Sequence, residues 1–202
     1  MSREPIDNER ELRELLLTPE QSVKLNAPGT NQAAVLIPLY TERRGQVAVF
    51  TKRRSDLRRH SGEISFPGGR RDDDEPLWQT ALREAEEEIG LDPGIVTVVG
   101  ALPPTGTFVT SYSVYPFVGL IEPGLSFHAS PHEVEEVIEI ALSDLVAGYE
   151  RKRLIRRGVP IKTPTYTVGP HLIWGATARI VEQLLERLSP LLGEGPSHLR
   201  LR

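Results

Sequence analysis

The sequence predicts one mixed α/β or α+β domain, and three observations support this class. The chain has 202 residues, which suits a single domain with a real hydrophobic core. Hydrophobic residues make up 39% of it and charged residues 26%, as in ordinary globular proteins. Apolar residues recur at both the strand period and the helix period, without an internal repeat or a low-complexity linker.

The N-terminal half is expected to hold a short helix, a hairpin and a longer helix. The apolar and polar patterns predict a helix over 8–17, strands over 33–40 and 46–51, and a helix over 77–89. Pro38 predicts a bulge or an end in the first strand, because proline cannot donate to a ladder. Pro76 suits the first turn of the longer helix, and Gly90 suits its C-terminal cap.

The C-terminal half is expected to alternate between strands and helices. The patterns predict strands over 96–102, 113–121, 133–140 and 165–168, and helices over 144–155 and 171–188. Ser143 is expected to cap the first of these helices. The predicted organisation is an N-terminal helix and lead-in over 1–29, one domain including the C-terminal helix over 30–192, and a tail over 193–202.

Composition narrows the classes of function. The formal net charge of −4 does not favour binding to nucleic acid or to a membrane surface. The absence of cysteine excludes disulfides, thiolate catalysis and a cysteine zinc site. The charged start over 1–17 lacks the apolar segment of a secretory signal, and no apolar run approaches a membrane span. We therefore expect a cytoplasmic protein.

Three carboxylates share one face of the helix predicted over 77–89. Glu84, Glu87 and Glu88 are three and four residues apart, so they lie within about one turn of each other. Like charges at this spacing repel, and they stand near the negative end of the helix dipole. A solvated acidic face is one interpretation of the pattern. A divalent cation would remove the repulsion, because Mg²⁺ and Mn²⁺ prefer oxygen ligands.

The spacing of the surrounding residues favours the metal interpretation. Five residues separate Gly69 from Glu75, seven more precede Arg83-Glu84, and Glu87-Glu88, Gly90 and Leu91 follow. This stretch resembles the Nudix box at every fixed position. The resemblance implies a Nudix-type α/β/α sandwich around a mixed β-sheet, and hydrolysis of a nucleoside diphosphate linked to another group.

The resemblance also implies roles for individual residues. The implied ligands of Mg²⁺ or Mn²⁺ are Glu84, Glu87, Glu88 and the carbonyl of Gly68. Glu84 or Glu87 could instead orient or deprotonate the attacking water, so the base stays open. Arg83 is expected to pair with an acidic residue such as Glu75 and to hold the loop against the helix. Further carboxylate candidates are Glu133, Glu135 and Glu136, for which a solvated strand edge is an equal alternative.

A basic segment before the box narrows the range of expected substrates. It resembles the signature of the coenzyme A pyrophosphatase branch of the Nudix family at Thr51, Arg53, Arg58, Gly62 and 66–69. Arg54 departs from that signature, which has Ser or Ala there. The residues implied to bind substrate are Arg53, Arg58, Gly62 and Gly69, and Arg54, Arg59 and His60 would add positive charge for the phosphates. The implied products are 3′,5′-ADP and 4′-phosphopantetheine.

Two alternatives remain open from the sequence. A Nudix hydrolase of another nucleoside diphosphate, such as ADP-ribose or NADH, would share the box, because specificity lies in loops. A non-catalytic Nudix module that senses a nucleotide would be expected to lose one or more of the helix carboxylates, which are all present here. A homodimer is implied by the family resemblance alone.

Overall fold

A computed structural model of the chain describes residues 9–43, 45–56, 62–107, 111–156 and 159–192. The α-helices in these ranges are α1 Glu9–Leu15, α2 Pro19–Lys24, α3 Leu77–Ile89, α4 Leu142–Ala147 and α5 Gly175–Leu188. The strands in the first part are β1 Asn31–Glu42, β2 Gly45–Arg53, β3 Ile64–Ser65, β4 Gly68–Arg70, β5 Thr97–Ala101 and β6 Thr105–Gly106. Those that follow are β7 Tyr112–Leu120, β8 Val134–Ala141, β9 Tyr149–Arg156, β10 Val159–Val168 and β11 His171–Ile173.

Strand β1 lies at the centre of a mixed sheet. It pairs in parallel with β7 on one edge, and with β2 and β4 antiparallel on the other. Strands β3 and β8 pair with β2, while β5 and β6 pair with β7. The side chains of Leu36, Ile37 and Leu39 are fully buried, which explains why this strand is a continuous apolar run.

Helices cover both faces of this sheet. Helix α3 packs its apolar face, including Ala81, Ala85 and Ile89, against alternate residues of β1 and β2. Helices α1, α4 and α5 contribute to a second core against the residues that alternate with those. The α/β/α sandwich predicted from the family resemblance is therefore confirmed. Within the described ranges, no helix has the length and apolarity to cross a membrane.

Strand β1 does not end or bulge at Pro38, as the sequence had suggested. On one edge its partner changes from β4, which ends its pairing at Val35, to β2, which starts at Leu39. The N–H of Leu36 points toward this edge and donates to Pro67 O. By the two-residue period, the nitrogen of Pro38 faces the same edge, in the gap between the two partners. The missing N–H therefore costs no ladder hydrogen bond.

The helix predicted over 144–155 is wrong in extent. Helix α4 starts at Leu142 with Ala141 as its N-cap, so Ser143 is not the cap, and it ends at Ala147. A Cβ on Gly148 would lie 2.3 Å from Thr167 O, so the chain there packs directly on β10. The residues that follow form β9, the antiparallel partner of β10. Tertiary pairing overrides the helical pattern of this segment.

Two other predicted helices are shorter than expected. Residues 171–173 belong to β11, which pairs with β10, and the last helix starts only at Gly175. At the N-terminus, the helix predicted over 8–17 ends at Leu15, and Thr18 caps the separate helix α2 in a reciprocal arrangement with Gln21. The predicted tail over 193–202 lies outside the described residues.

Candidate active site

Helix α3 positions the acidic residues. Its apolar stripe fixes the rotation of the helix on the sheet, and this leaves the glutamates at the edge of the buried face. Gly90 ends the helix in the left-handed conformation at φ 68°, and its N–H donates to Glu86 O. The predicted helix and its C-terminal cap are therefore confirmed.

Glu88 is the most buried of the three carboxylates. It is 8% exposed, and its Oε2 accepts a hydrogen bond from the N–H of Gly68 at 3.2 Å. Its pKa rises from 4.5 to about 8, chiefly because burial disfavours the charged form. The Gly68 hydrogen bond opposes this rise, whereas the charges of Glu84 and Glu133 add to it.

Glu84 lies directly against Gly69. A Cβ on Gly69 would stand 2.4 Å from the carboxylate carbon of Glu84, so the close approach requires glycine at this position. Burial raises the pKa of Glu84, and Glu87 and Glu133 act in the same direction, while Arg83 opposes them. The Gly68-Gly69 pair therefore holds one carboxylate by its amide and admits the other by its lack of a side chain.

Arg83 joins the helix to the loop before it. Its Nε donates to Glu75 Oε1 at 3.3 Å, as the sequence predicted. Its Nη1 donates to Glu84 Oε1 at 2.9 Å and to Glu87 Oε1 at 3.1 Å. Burial alone would lower the pKa of Arg83, but these hydrogen bonds raise it, so the guanidinium stays charged. Glu87 itself is exposed and lies at the outer rim of the site.

Glu133 approaches the site from a different part of the chain. Its segment is attached to the end of α3 by hydrogen bonds from Ser130 N to Glu88 O at 2.8 Å and from His128 N to Ile89 O at 2.9 Å. Its charge acts on both Glu84 and Glu88. No sequence pattern favoured Glu133 over Glu135 or Glu136 as a site residue. Glu135 forms an ion pair with Lys52, and Glu136 stands opposite Lys52 in the β2–β8 ladder.

The basic segment that precedes the box includes Arg53, which lies beside Glu133. Arg53 Nη1 lies 3.3 Å from Glu133 Oε2, and its carbonyl accepts the N–H of Gly62 at 3.1 Å. Gly62 has a φ of 68°, which explains the glycine at this position. Arg58, Arg59 and His60 lie outside the described residues.

Arg54 is held by protein groups. Its guanidinium makes a bidentate pair with Asp56, with Nε–Oδ1 at 2.9 Å and Nη2–Oδ2 at 2.7 Å. Nη1 donates to the carbonyl of Pro131. The sequence analysis expected Arg54 to add positive charge for the substrate's phosphates, but these N–H donors are already bonded to Asp56 and Pro131.

The donor chemistry of the site fits a hard divalent cation. Glu84 and Glu88 are carboxylates whose charged forms are disfavoured by burial and by neighbouring carboxylates, and a cation would compensate both effects. Within the ranges described, no three acidic or histidine side chains converge closely enough to enclose an ion. Glu84 and Glu87 each accept a hydrogen bond from Arg83 Nη1.

Comparison with known proteins identifies the class. A family model described as "NUDIX domain" matches residues 30–158. "Uncharacterized Nudix hydrolase NudL" of Cronobacter sakazakii (strain ATCC BAA-894) is 38% identical over 188 residues, which cover 91% of this chain and 96% of the relative. The protein of the same name from Photorhabdus laumondii subsp. laumondii is 40% identical over 159 residues, covering 77% and 84%. The chain belongs to the Nudix hydrolase family.

Solved structures agree on the fold. The MutT/nudix family protein from Enterococcus faecalis matches with a TM-score of 0.57 at 12% identity, covering 99% of this chain and 80% of that chain. The NUDIX domain of Shewanella oneidensis NrtR, solved with ADP ribose, matches with a TM-score of 0.55 at 16% identity, covering 82% and 92%. At these identities the likeness concerns the fold alone.

Proposed function

We propose that the protein is a metal-dependent pyrophosphohydrolase that cleaves the diphosphate of coenzyme A or of a coenzyme A derivative. The observation that supports the hydrolase part is the pair of carboxylates that lies against Gly68 and Gly69, with Glu88 buried and Glu84 partly buried. The substrate class is supported by the resemblance of residues 51–69 to the coenzyme A pyrophosphatase branch. The products would be 3′,5′-ADP and 4′-phosphopantetheine, or its acyl derivative.

The metal ligands we propose are Glu84, Glu87, Glu88 and the carbonyl of Gly68, with Mg²⁺ or Mn²⁺ as the ion. When bound, such an ion neutralises charge on the diphosphate and lowers the pKa of a coordinated water. Glu133 is a further carboxylate for the same site, because its charge already acts on Glu84 and Glu88.

Residues of the chain would carry out proton transfer and position the substrate. Water attacks one phosphorus, the bond from that phosphorus to the bridging oxygen breaks, and the bridging oxygen leaves with the other phosphate. Glu84 and Glu87 are the candidates to take the proton of the water. Arg83 would hold these two carboxylates in place through its hydrogen bonds to both. Arg53, Arg58, Gly62 and Gly69 would position the substrate.

A turnover assay with identified products tests this proposal. Coenzyme A, 3′-dephospho-coenzyme A, ADP-ribose and NADH are each incubated with the protein and Mg²⁺ or Mn²⁺, and products are identified by mass. We expect 3′,5′-ADP from coenzyme A at the highest kcat/KM. A preference for ADP-ribose or NADH would overturn the substrate class and keep the hydrolase, while tight binding without turnover of any diphosphate would indicate a sensing module.

Two substitutions test the assigned carboxylates in the same assay. Glu84→Gln and Glu87→Gln should each lower kcat by orders of magnitude, because each removes a negatively charged ligand or base. Glu135→Gln is the matched control, since Glu135 is paired with Lys52 and should tolerate the change. Full activity in both site variants would show that the metal assignment is wrong.

A further inference from the structure

A polar cleft lies beside Arg70 and the residues that follow it. It has a volume of about 340 Å³ and lies between the lead-in to β1 and the loop that precedes α3. Its polar lining includes Asn26, Thr30, Asn31, Arg70, Ser113 and Tyr115. None of these residues belongs to the carboxylate group or to the basic segment described above. The proposed reaction therefore assigns no role to this cleft.

Tyr115 lines this cleft and has a hydroxyl without a hydrogen-bond partner among the described residues. Only 3% of this residue is exposed, because its ring packs with the apolar residues of β1 and α3. In the part of the chain that the structure describes, its hydroxyl makes no hydrogen bond. The hydroxyl is not among the buried side-chain atoms that lack a partner, so it is open to the cleft, where a ligand could accept its hydrogen bond.

Arg70 gives the cleft a cation. Its side chain is exposed and has no partner among the described residues. The neighbouring Arg71 is fixed by Gln32 Oε1 at 2.7 Å and by Glu75 O at 2.6 Å, which are neutral acceptors. Asp73 is the acidic residue of the lining, so the two arginines leave a formal charge of +1. The surroundings of Tyr115 therefore favour an anion.

We propose that this cleft binds an oxyanion, a phosphate monoester or a carboxylate, with the Tyr115 hydroxyl and the Arg70 guanidinium as donors. Arg70 connects the cleft to the carboxylates proposed for catalysis. Arg70 follows Gly69, against which Glu84 lies, and the carbonyl of Arg70 accepts a hydrogen bond from Arg83 Nη2 at 3.3 Å. The anion has two possible sources: a peripheral group of the substrate or a free small anion. The first source rests on the proposed function, whereas anion binding itself does not.

Direct binding of inorganic phosphate tests the site without any turnover. The full chain is titrated with phosphate in the absence of divalent metal, and binding is followed by ¹H–¹⁵N NMR. We expect saturable shifts of amides around Asn31, Arg70 and Ser113. Tyr115→Phe and Arg70→Gln should each weaken binding about tenfold, because each removes a hydrogen bond to a charged ligand.

Matched controls separate this site from general attraction to positive charge. Tyr112→Phe makes the same change on the same strand outside the cleft, and Arg43→Gln removes an exposed arginine elsewhere. Both should bind phosphate as the wild type does. Unchanged affinity in Tyr115→Phe and Arg70→Gln, or shifts confined to other regions, would overturn the proposal. If Tyr115→Phe fails to fold, Arg70→Gln decides alone.

Kinetics distinguish the two sources. If the substrate supplies the anion, Arg70→Gln should raise KM for coenzyme A about tenfold and leave kcat and the KM for 3′-dephospho-coenzyme A unchanged. If a free anion is bound, phosphate should alter the wild-type rate without competing with substrate, and Arg70→Gln should abolish this effect. Phosphate binding without either effect would overturn the link to catalysis. Absence of all turnover would refute the proposed function while leaving the binding result intact.

Discussion

Glu88 combines burial, a backbone hydrogen bond and two like-charged neighbours. In the unfolded chain its pKa would be near 4.5, whereas in the folded protein it is about 8. Between these values the folded state binds more protons than the unfolded state, so stability falls as the pH rises. The metal-free protein should therefore lose stability from about pH 5 to pH 8.

Glu88→Gln should remove most of this pH dependence. The amide keeps the size of the side chain and cannot ionise, so metal-free unfolding in urea should change little between pH 5 and pH 8. The comparison is the unfolding midpoint of wild type and variant across that range. Parallel pH profiles for the two proteins would mean that Glu88 does not carry the shifted pKa.

Gly69 offers a test of the close approach to Glu84. In Gly69→Ala the new Cβ would meet the carboxylate, which is the flexible end of a side chain and can move. The fold should survive, but a displaced Glu84 should lower kcat about a hundredfold. Gly68→Ala is the contrast, because its Cβ would meet Ala34 O at 2.4 Å and should destabilise the sheet. A fully active Gly69→Ala protein would contradict the assignment of Glu84.

At the level of elements, the end of α4 depends on Gly148. In Gly148→Ala the added Cβ would meet the carbonyl of Thr167, which belongs to β10 and cannot rotate away. We expect a loss of about 1–3 kcal/mol in the free energy of unfolding. In Gly94→Ala the Cβ would approach only the side chain of Asp92, so this variant should unfold near the wild-type midpoint. Equal midpoints in the two variants would contradict this explanation.

Elements with strong local signals could be predicted from the sequence. Helix α3 was predicted at 77–89 because an apolar stripe, Pro76 and Gly90 all agree, and the structure has the same bounds. The helix prediction was wrong over 149–156 because this segment forms a strand through its pairing with β10, and no local pattern reveals that pairing.

Only part of the candidate site could be predicted from the sequence, because some of its contacts are between distant segments. The glutamates of α3 are neighbours through helix spacing, and the box fixes their order. Glu133 reaches them through Ser130 and His128, which attach a distant loop to the end of α3. Glu133, Glu135 and Glu136 looked equivalent along the chain, and only the Lys52 pairings and the loop contacts distinguish them.

For the whole molecule, metal binding and stability should be coupled through pH. If Glu88 is a metal ligand, as proposed above, protons compete with the cation for its carboxylate, so Mg²⁺ should raise the unfolding temperature more at pH 8 than at pH 6. The measurement is the Mg²⁺-dependent shift of Tm at both values, for wild type and for Glu88→Gln. The variant should show a smaller shift, and Glu135→Gln should behave as the wild type. Equal shifts at both pH values would exclude this coupling.

The parallel ladder between β1 and β7 also has a consequence for how the chain folds. It joins residues about 80 positions apart, from Asn31 opposite Tyr112 to Leu39 opposite Leu120. During synthesis, the most apolar strand must therefore wait for most of the domain before its inner edge is covered, and contacts this distant are expected to slow folding into the range of milliseconds to seconds. Until then β1 presents an unpaired apolar edge, which is the kind of surface that aggregates or engages chaperones. The strand that pairs with Gly68 and Gly69 is thus also the point at which a nascent chain is most prone to aggregate.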